Sequence, residues 1–270
     1  MSDNRPIGVF DSGLGGLTVV RELKKLLPNE DIVYFGDTGR VPYGTRSNDI
    51  VRKYAREDEA FLLSQNVKMI IAACGTVSSV AYMTADELPV PFLEVVTPAA
   101  IAAAKATKNG KIGVIGTPVT IKSRSHARAI LRILPDARIA ANACPLFVPL
   151  VEEGWISPDD TVTQEVAKRY LEPLIEGEVD TLIMGCTHYP ALRSIIAKIM
   201  GENVTLIDPG AATSEMVKNH LTENGLLNPN GGNARYFVSD RPDAFSKTAE
   251  ILMGESIEKG VSQVDIFKYI

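Results

Sequence analysis

Along the 270-residue chain, short uninterrupted apolar runs alternate with longer stretches whose apolar residues recur at helical spacing. The runs predict strands over 7–10, 31–36, 69–73, 92–96, 111–116, 139–143, 181–184, 204–208 and 235–238. Helical patterns cover 17–27, 49–65, 121–134, 161–176 and 190–200. Ser47 and Asn48 stand as caps before the second helix, and Pro158 lies near the start of another. Strand and helix in regular alternation predict an α/β fold with mainly parallel sheets.

Laid side by side, the units repeat. Ile7-Gly8-Val9-Phe10 resembles Ile112-Gly113-Val114-Ile115, each a strand entering a small polar turn. Two cysteine segments follow: Ile70-Ile71-Ala72-Ala73-Cys74-Gly75-Thr76 and Leu182-Ile183-Met184-Gly185-Cys186-Thr187. A third match, 95–100 against 207–212, follows each cysteine, with Cys74 to Pro98 spanning 24 residues and Cys186 to Pro209 spanning 23. Three matches in one order predict two similar, pseudo-symmetric α/β domains with a site in the cleft between them. The expected domains are 1–97 plus 209–270, with the tail returning to the first domain, and 98–208. The tail itself carries a helix over 211–224, a Pro/Asn/Gly-rich loop over 228–233, a strand and a final helix.

Composition narrows the class without changing this picture. Apolar residues make up 45% and charged residues 23%, with a net charge of −5 and no basic cluster. Nucleic acid and anionic membrane surfaces are therefore not indicated as partners. No run reaches the roughly 18 apolar residues of a membrane span, and the polar start at 2–5 leads straight into a strand. Three cysteines imply free thiols and a reducing compartment, with the cytoplasm as the expected location.

Asp11-Ser12-Gly13-Leu14-Gly15-Gly16 ends a strand and opens a helix, a turn suited to a carboxylate or a phosphate. Asp11 could cap that helix or accept a proton from a neighbour. A lone cysteine after a buried strand is usually a small core residue. The equivalent places of Cys74 and Cys186 in a duplicated fold instead suggest a donor on each side of one substrate. Neither lies in a Cys-x-x-Cys pair and the chain has three histidines, so no metal site is expected. His188, two residues beyond Cys186, can take or return a proton. Glu152 and Glu153 follow an apolar run, and either could border the cleft. Cys144 is expected to be structural, and His126 and His220 to lie on helix surfaces. Pro42-Tyr43-Gly44 reads as a tight turn.

Together these segments resemble the glutamate racemases, which make D-glutamate for bacterial peptidoglycan, and their aspartate and hydantoin racemase relatives. The resemblance rests on Asp-Ser-Gly-x-Gly-Gly at 11–16, Gly-Asp-Thr at 36–38, Pro-Tyr-Gly at 42–44, the first cysteine segment, Val-Pro-Leu-Val-Glu at 148–152 and Gly-Cys-Thr-His-Tyr-Pro at 185–190. It implies a cofactor-independent enzyme, a homodimer, in which one thiolate removes the α-proton of glutamate while the opposite thiol donates to the other face. By that resemblance Cys74 acts on the D-enantiomer with help from Asp11. Cys186 acts on the L-enantiomer with help from His188 and Glu152. It also implies substrate contacts from Ser12, from the turn of Pro42, Tyr43 and Gly44, from Gly75, Thr76 and Thr187, and from Thr117 and Thr120.

One position departs from the family pattern, which reads Cys-Asn-Thr where this chain has Cys74-Gly75-Thr76. Loss of such an amide contact costs about 1–3 kcal/mol of binding. Gly75 therefore leaves two alternatives open: racemization of another amino acid such as aspartate, or amino-acid binding without catalysis.

Overall fold

The computed structural model describes residues 2–80, 88–255, 257 and 260–269. The first half of the chain runs β1 (Ile7–Asp11), α1 (Leu17–Leu26), β2 (Ile32–Gly36), α2 (Asn48–Ser64), β3 (Met69–Ala72), α3 (Gly75–Val80), β4 (Phe92–Glu94) and α4 (Val96–Ala106). Side chains alternate across these strands, yet both faces are apolar. Ile7, Val9, Ile32, Tyr34, Met69 and Ile71 enter one core. Phe10, Val33, Phe35, Ile70 and Ala72 enter another, against Val51, Ala55, Phe61 and Leu62 of α2. A parallel sheet requires this, because its crossover helices cover both faces.

The second half repeats the plan with β5 (Lys111–Gly116), α5 (Pro118–Ser123), α6 (Ser125–Ile133), β6 (Arg138–Ala143), α7 (Phe147–Glu152), α8 (Thr161–Glu176), β7 (Thr181–Met184), α9 (Arg193–Met200) and β8 (Thr205–Ile207). After α10 (Pro209–Glu223), the tail forms β9 (Ala234–Val238), α11 (Pro242–Met253) and β10 (Val261–Gln263). The two sheets have orders β10-β9-β2-β1-β3-β4 and β6-β5-β7-β8, and every pairing is parallel. The order β2-β1-β3-β4 is thus the same as β6-β5-β7-β8, which is the sequence repeat in three dimensions. Gly8 and Gly113 occupy matching places in β1 and β5. A Cβ on Gly113 would lie 2.8 Å from Leu174, and one on Gly8 would lie 3.1 Å from Val67.

Local chemistry moves several predicted boundaries. The strand expected over 92–96 stops at Glu94, whose carboxylate accepts the N–H groups of Val96 and Thr97 and so starts α4. Asp208 ends β8 in the equivalent way, accepting from Gly210 at 2.8 Å to start α10. The helix expected over 121–134 is two helices, broken where Arg124 takes a left-handed conformation with φ 55°. The pattern over 190–200 begins as a 3-10 turn, Tyr189–Leu192, before α9. Periodicity did not predict α3 and α7, which are a turn and a half long, nor the alanine-rich α4 or the edge strand β10.

A buried ion pair joins the returning tail to the amino-terminal ends of the first sheet. Lys68 Nζ lies 2.6 Å from Glu30 Oε2, with both side chains almost wholly buried. Lys68 also donates to the carbonyls of Asp3 and Leu226, and Glu30 Oε1 accepts the Asn228 N–H at 2.8 Å. Removing one partner strands a buried charge, so Lys68→Met is expected to cost about 3–5 kcal/mol. Urea unfolding checks this, and the double variant Lys68→Met/Glu30→Leu is expected to be more stable than Lys68→Met alone.

Candidate active site

In each sheet the chain leaves the first strand to one side and the third to the other, so a crevice opens beyond their carboxyl ends. Asp11 ends β1 with Ser12 next to it, and Cys74 follows β3; Thr117 follows β5 and Cys186 follows β7. The backbone joins these turns in matching fashion, with Ala73 N donating to the Phe10 carbonyl at 2.9 Å and Gly185 N to that of Ile115 at 2.7 Å. Each half therefore delivers one thiol to the switch point of its own sheet. All three cysteines are free and buried, Cys144 as core below Tyr189.

The Cys186 side is a short polar chain. His188 Nδ1 lies 4.0 Å from Cys186 Sγ, and Nε2 lies 3.1 Å from Glu152 Oε1 at the end of α7. Neighbouring groups fix this geometry. The Tyr189 hydroxyl donates to the Cys144 carbonyl at 2.8 Å, and its ring meets Phe147 edge-on at 5.1 Å. Burial alone would make His188 a weaker base, but hydrogen bonds to Cys186 and Glu152 outweigh it and lift its pKa to about 10. The imidazole is therefore charged at neutral pH. Both acids left open by the sequence are exposed, and it is Glu152 that meets His188.

The Cys74 side is drier. Its thiol donates to Ser12 Oγ at 3.4 Å, and burial, with the nearby Asp11 charge, pushes its pKa up to about 12. Asp11 is itself buried, which raises its pKa; His188 across the cleft and the Gly13, Gly16 and Gly15 N–H groups pull the other way. Asp11 Oδ2 accepts from Gly13 at 2.9 Å, so its carboxylate shapes the glycine turn rather than capping α1, whose N-cap is Gly16 without a side-chain bond. Asp11 thus faces both Cys74 and His188.

Glycines let the two halves close on each other. A Cβ on Gly15 would lie 2.1 Å from Thr187 Oγ1 and 2.7 Å from His188 Nδ1, and one on Gly75 would lie 3.0 Å from the Gly185 carbonyl. Thr18 Oγ1 lies 2.9 Å from the Thr187 carbonyl, and the Ser79 and Ser125 hydroxyls meet at 3.0 Å. Thr120 Oγ1 comes within 3.6 Å of the Gly75 Cβ position, and Thr76 Oγ1 within 3.8 Å of that of Gly44. The turn at Pro42, Tyr43 and Gly44 is thereby brought beside Thr76, while Thr117 caps α5 and bonds Thr120 at 3.0 Å.

Tyr43 is buried and points away from the cleft. Its hydroxyl donates to Asp37 and lies 3.0 Å from Asp58 Oδ2; Arg40 pairs with Asp37, Glu57 and Asp58. This buried cluster holds the turn, and no sequence pattern flagged Arg40, Glu57 or Asp58. Thr18, Ser79 and Ser125 were missed too, since hydroxyls inside helical stretches carry no signal of an interlobe contact. His126, expected at the surface, is buried against Gly185, because the break at Arg124 turns the start of α6 inward. His220 is half-buried in α10. Among the described residues no group of three His, Cys, Asp or Glu side chains is placed to hold a metal ion.

Comparison with known proteins decides between a duplicated binding fold and a catalytic one. The family described as Asp/Glu/Hydantoin racemase matches residues 7–217. The chain belongs to that racemase family. A glutamate racemase of Syntrophus aciditrophicus is 45% identical over 264 residues, covering 97% of each chain. The glutamate racemase of Francisella tularensis, solved in complex with D-glutamate, superposes with TM-score 0.90 at 40% identity, covering 99% of this chain and 100% of that one. The Thermus thermophilus glutamate racemase, in complex with beta-chloro-D-alanine, gives 0.89 at 44% identity over the full length of both. An aspartate racemase of Picrophilus torridus shares the fold at 19% identity, with TM-score 0.54.

The charged state of His188 has a thermodynamic signature in this racemase fold. Its folded pKa of about 10 lies above the unfolded value of 6.5, so the folded protein holds the extra proton between those limits. The resulting stabilisation is complete below pH 6.5 and is lost as pH rises toward 10. The unfolding free-energy difference between the wild type and His188→Asn is expected to shrink across that window. Glu152→Gln is expected to bring the NMR titration midpoint of His188 down.

Proposed function

We propose that this protein interconverts L- and D-glutamate by a two-base proton transfer between Cys186 and Cys74, without a cofactor. The observation that carries the reading is the matched delivery of one thiol to the switch point of each sheet, at a junction closed by glycine. In the L-to-D direction the Cys186 thiolate takes the α-proton and becomes a neutral thiol, while the charged His188, held by Glu152, balances the thiolate beforehand. Cys74, whose thiol keeps its proton in the dry pocket beside Ser12, returns a proton to the opposite face. In the reverse direction Asp11 is the base near enough to activate Cys74. Carbanion charge is stabilised by donors aimed at the carboxylate: Ser12, Thr76, Thr187, Thr117, Thr120 and the N–H groups of Tyr43 and Gly44.

Glutamate is favoured over aspartate because relatives at about 45% identity over nearly the whole chain are glutamate racemases, whereas the aspartate racemase shares only the fold. Gly75 fits this reading as a spacer: its missing side chain admits the Gly185 carbonyl from the other half. We further propose two domains, 1–97 plus 209–270 and 98–208, each holding one sheet, in a homodimer of the cytoplasm that serves peptidoglycan synthesis. No helix among the described residues is long and apolar enough to cross a membrane, which is compatible with that location.

Two thiols on opposite faces leave an isotopic record. With L-glutamate in deuterated water, the D-glutamate first formed is expected to carry solvent deuterium while unreacted L-glutamate carries none. Deuterium accumulating equally in both from the first turnovers would contradict two separate bases. Cys74→Ala and Cys186→Ala are each expected to lower racemization at least about a thousandfold, and full activity in either would overturn the assignment. Gly15→Ala, which forces Thr187 and His188 back, is expected to lower kcat/KM by about a hundredfold with an unchanged circular dichroism spectrum.

A further inference from the structure

On the flank of the second sheet, between β5 and β6 and the α5–α6 pair, lies a cavity of about 260 Å³. Ile121, Leu131 and Ile139 give it apolar walls, and Arg124 and His126 supply its polar groups. The His126 ring is 2% exposed, and neither of its nitrogens has a hydrogen-bond partner. Its Cε1–Nε2 edge lies 3.2–3.3 Å from where a Gly185 Cβ would sit, so the ring stands between this cavity and the turn that bears Cys186, and Nδ1 is the nitrogen on the edge away from Gly185. A buried imidazole with both nitrogens unpaired is unusual in a folded protein and calls for a partner.

The surroundings specify the charge of that partner. Arg124 is exposed, and no acid among the described residues pairs with it. Its φ of 55° lies in the left-handed region that favours glycine, yet an arginine stands there. Helix α6 begins at that point with no acidic residue in its first turn, and the Ser123 hydroxyl accepts its first N–H, that of Ser125, at 3.2 Å. Burial pulls the His126 pKa down to about 4, so at neutral pH the ring is uncharged and carries one N–H to donate. A cavity of about 150 Å³ already admits benzene, so this one has room for a single ring bearing an acid.

We propose that this cavity binds a small carboxylate with an apolar body. The carboxylate accepts from His126 and Arg124 at the start of α6, and the apolar part lies against Ile121, Leu131 and Ile139. The cavity also takes in Thr120, so the site adjoins the glutamate cleft, and its occupant touches the ring that backs the Cys186 turn.

Benzoate is a suitable probe, titrated into the full-length protein while the His126 Cε1–H resonance is followed. That resonance is assigned by its loss in His126→Gln. The expected result is a saturable shift with a dissociation constant below about 1 mM, retained in the presence of saturating D-glutamate. Benzyl alcohol, the uncharged counterpart, is expected to bind at least tenfold more weakly. Arg124→Gly is expected to weaken benzoate binding by a similar factor while its melting temperature stays level or rises, because glycine suits the left-handed backbone. A shift that never saturates, equal binding of benzyl alcohol, unchanged binding in Arg124→Gly, or displacement by D-glutamate would each overturn the proposal.

Discussion

The structure depends on how closely the turn after β3 approaches the turn after β7. Backbone meets backbone there, with the Gly185 carbonyl against Gly75, while Gly15 admits Thr187 and His188. A Cβ at Gly15 would collide with Thr187 and His188 of the other half, and one at Gly75 would crowd the Gly185 carbonyl. Two parallel sheets of the same strand order could each bury their cores separately; the glycines are what turn two switch points into one junction. The hydroxyl contacts of Thr18 with Thr187 and of Ser79 with Ser125 then fix the halves laterally.

Within a duplicated frame the two thiols are not chemical equals. Cys186 has a charged imidazole beside it, held by Glu152 and oriented by the Tyr189 bond to Cys144. Cys74 has a serine hydroxyl, a buried carboxylate and little solvent, and its proton is held firmly. The asymmetry matches two tasks in the proposed reaction, with Cys186 accepting as a thiolate beside the imidazolium and the Cys74 thiol donating. It also concentrates the demand of the reverse direction on Asp11, which must act from a buried position between Cys74 and His188.

Much of this was legible in the sequence because the repeat is a covalent fact. Strands buried on both faces read directly from apolar runs, and the matched segments around Cys74 and Cys186 located the switch points before any topology was known. From the residues alone Glu152 was legible as one of two neighbouring acids, and only the family resemblance chose it, since a physical choice over Glu153 needs the direction of the α7 terminus. The long-range contacts were not legible. Tyr43 reads as a turn residue, yet its hydroxyl is tied to Asp37 and Asp58 through a cluster drawn from the loop after β2 and from α2. His126 reads as a helix-surface residue because a continuous helix over 121–134 would have put it there; the left-handed Arg124 resets the helix phase and buries the ring.

The most direct measurement of the two-thiol reading is a crystal structure of the wild-type protein with D-glutamate bound. The expected result places the α-carbon between the two sulfurs, each within about 3–4 Å and on opposite faces, with the α-proton toward Cys74. A ligand whose α-carbon meets one sulfur alone, or both sulfurs from the same face, would contradict it.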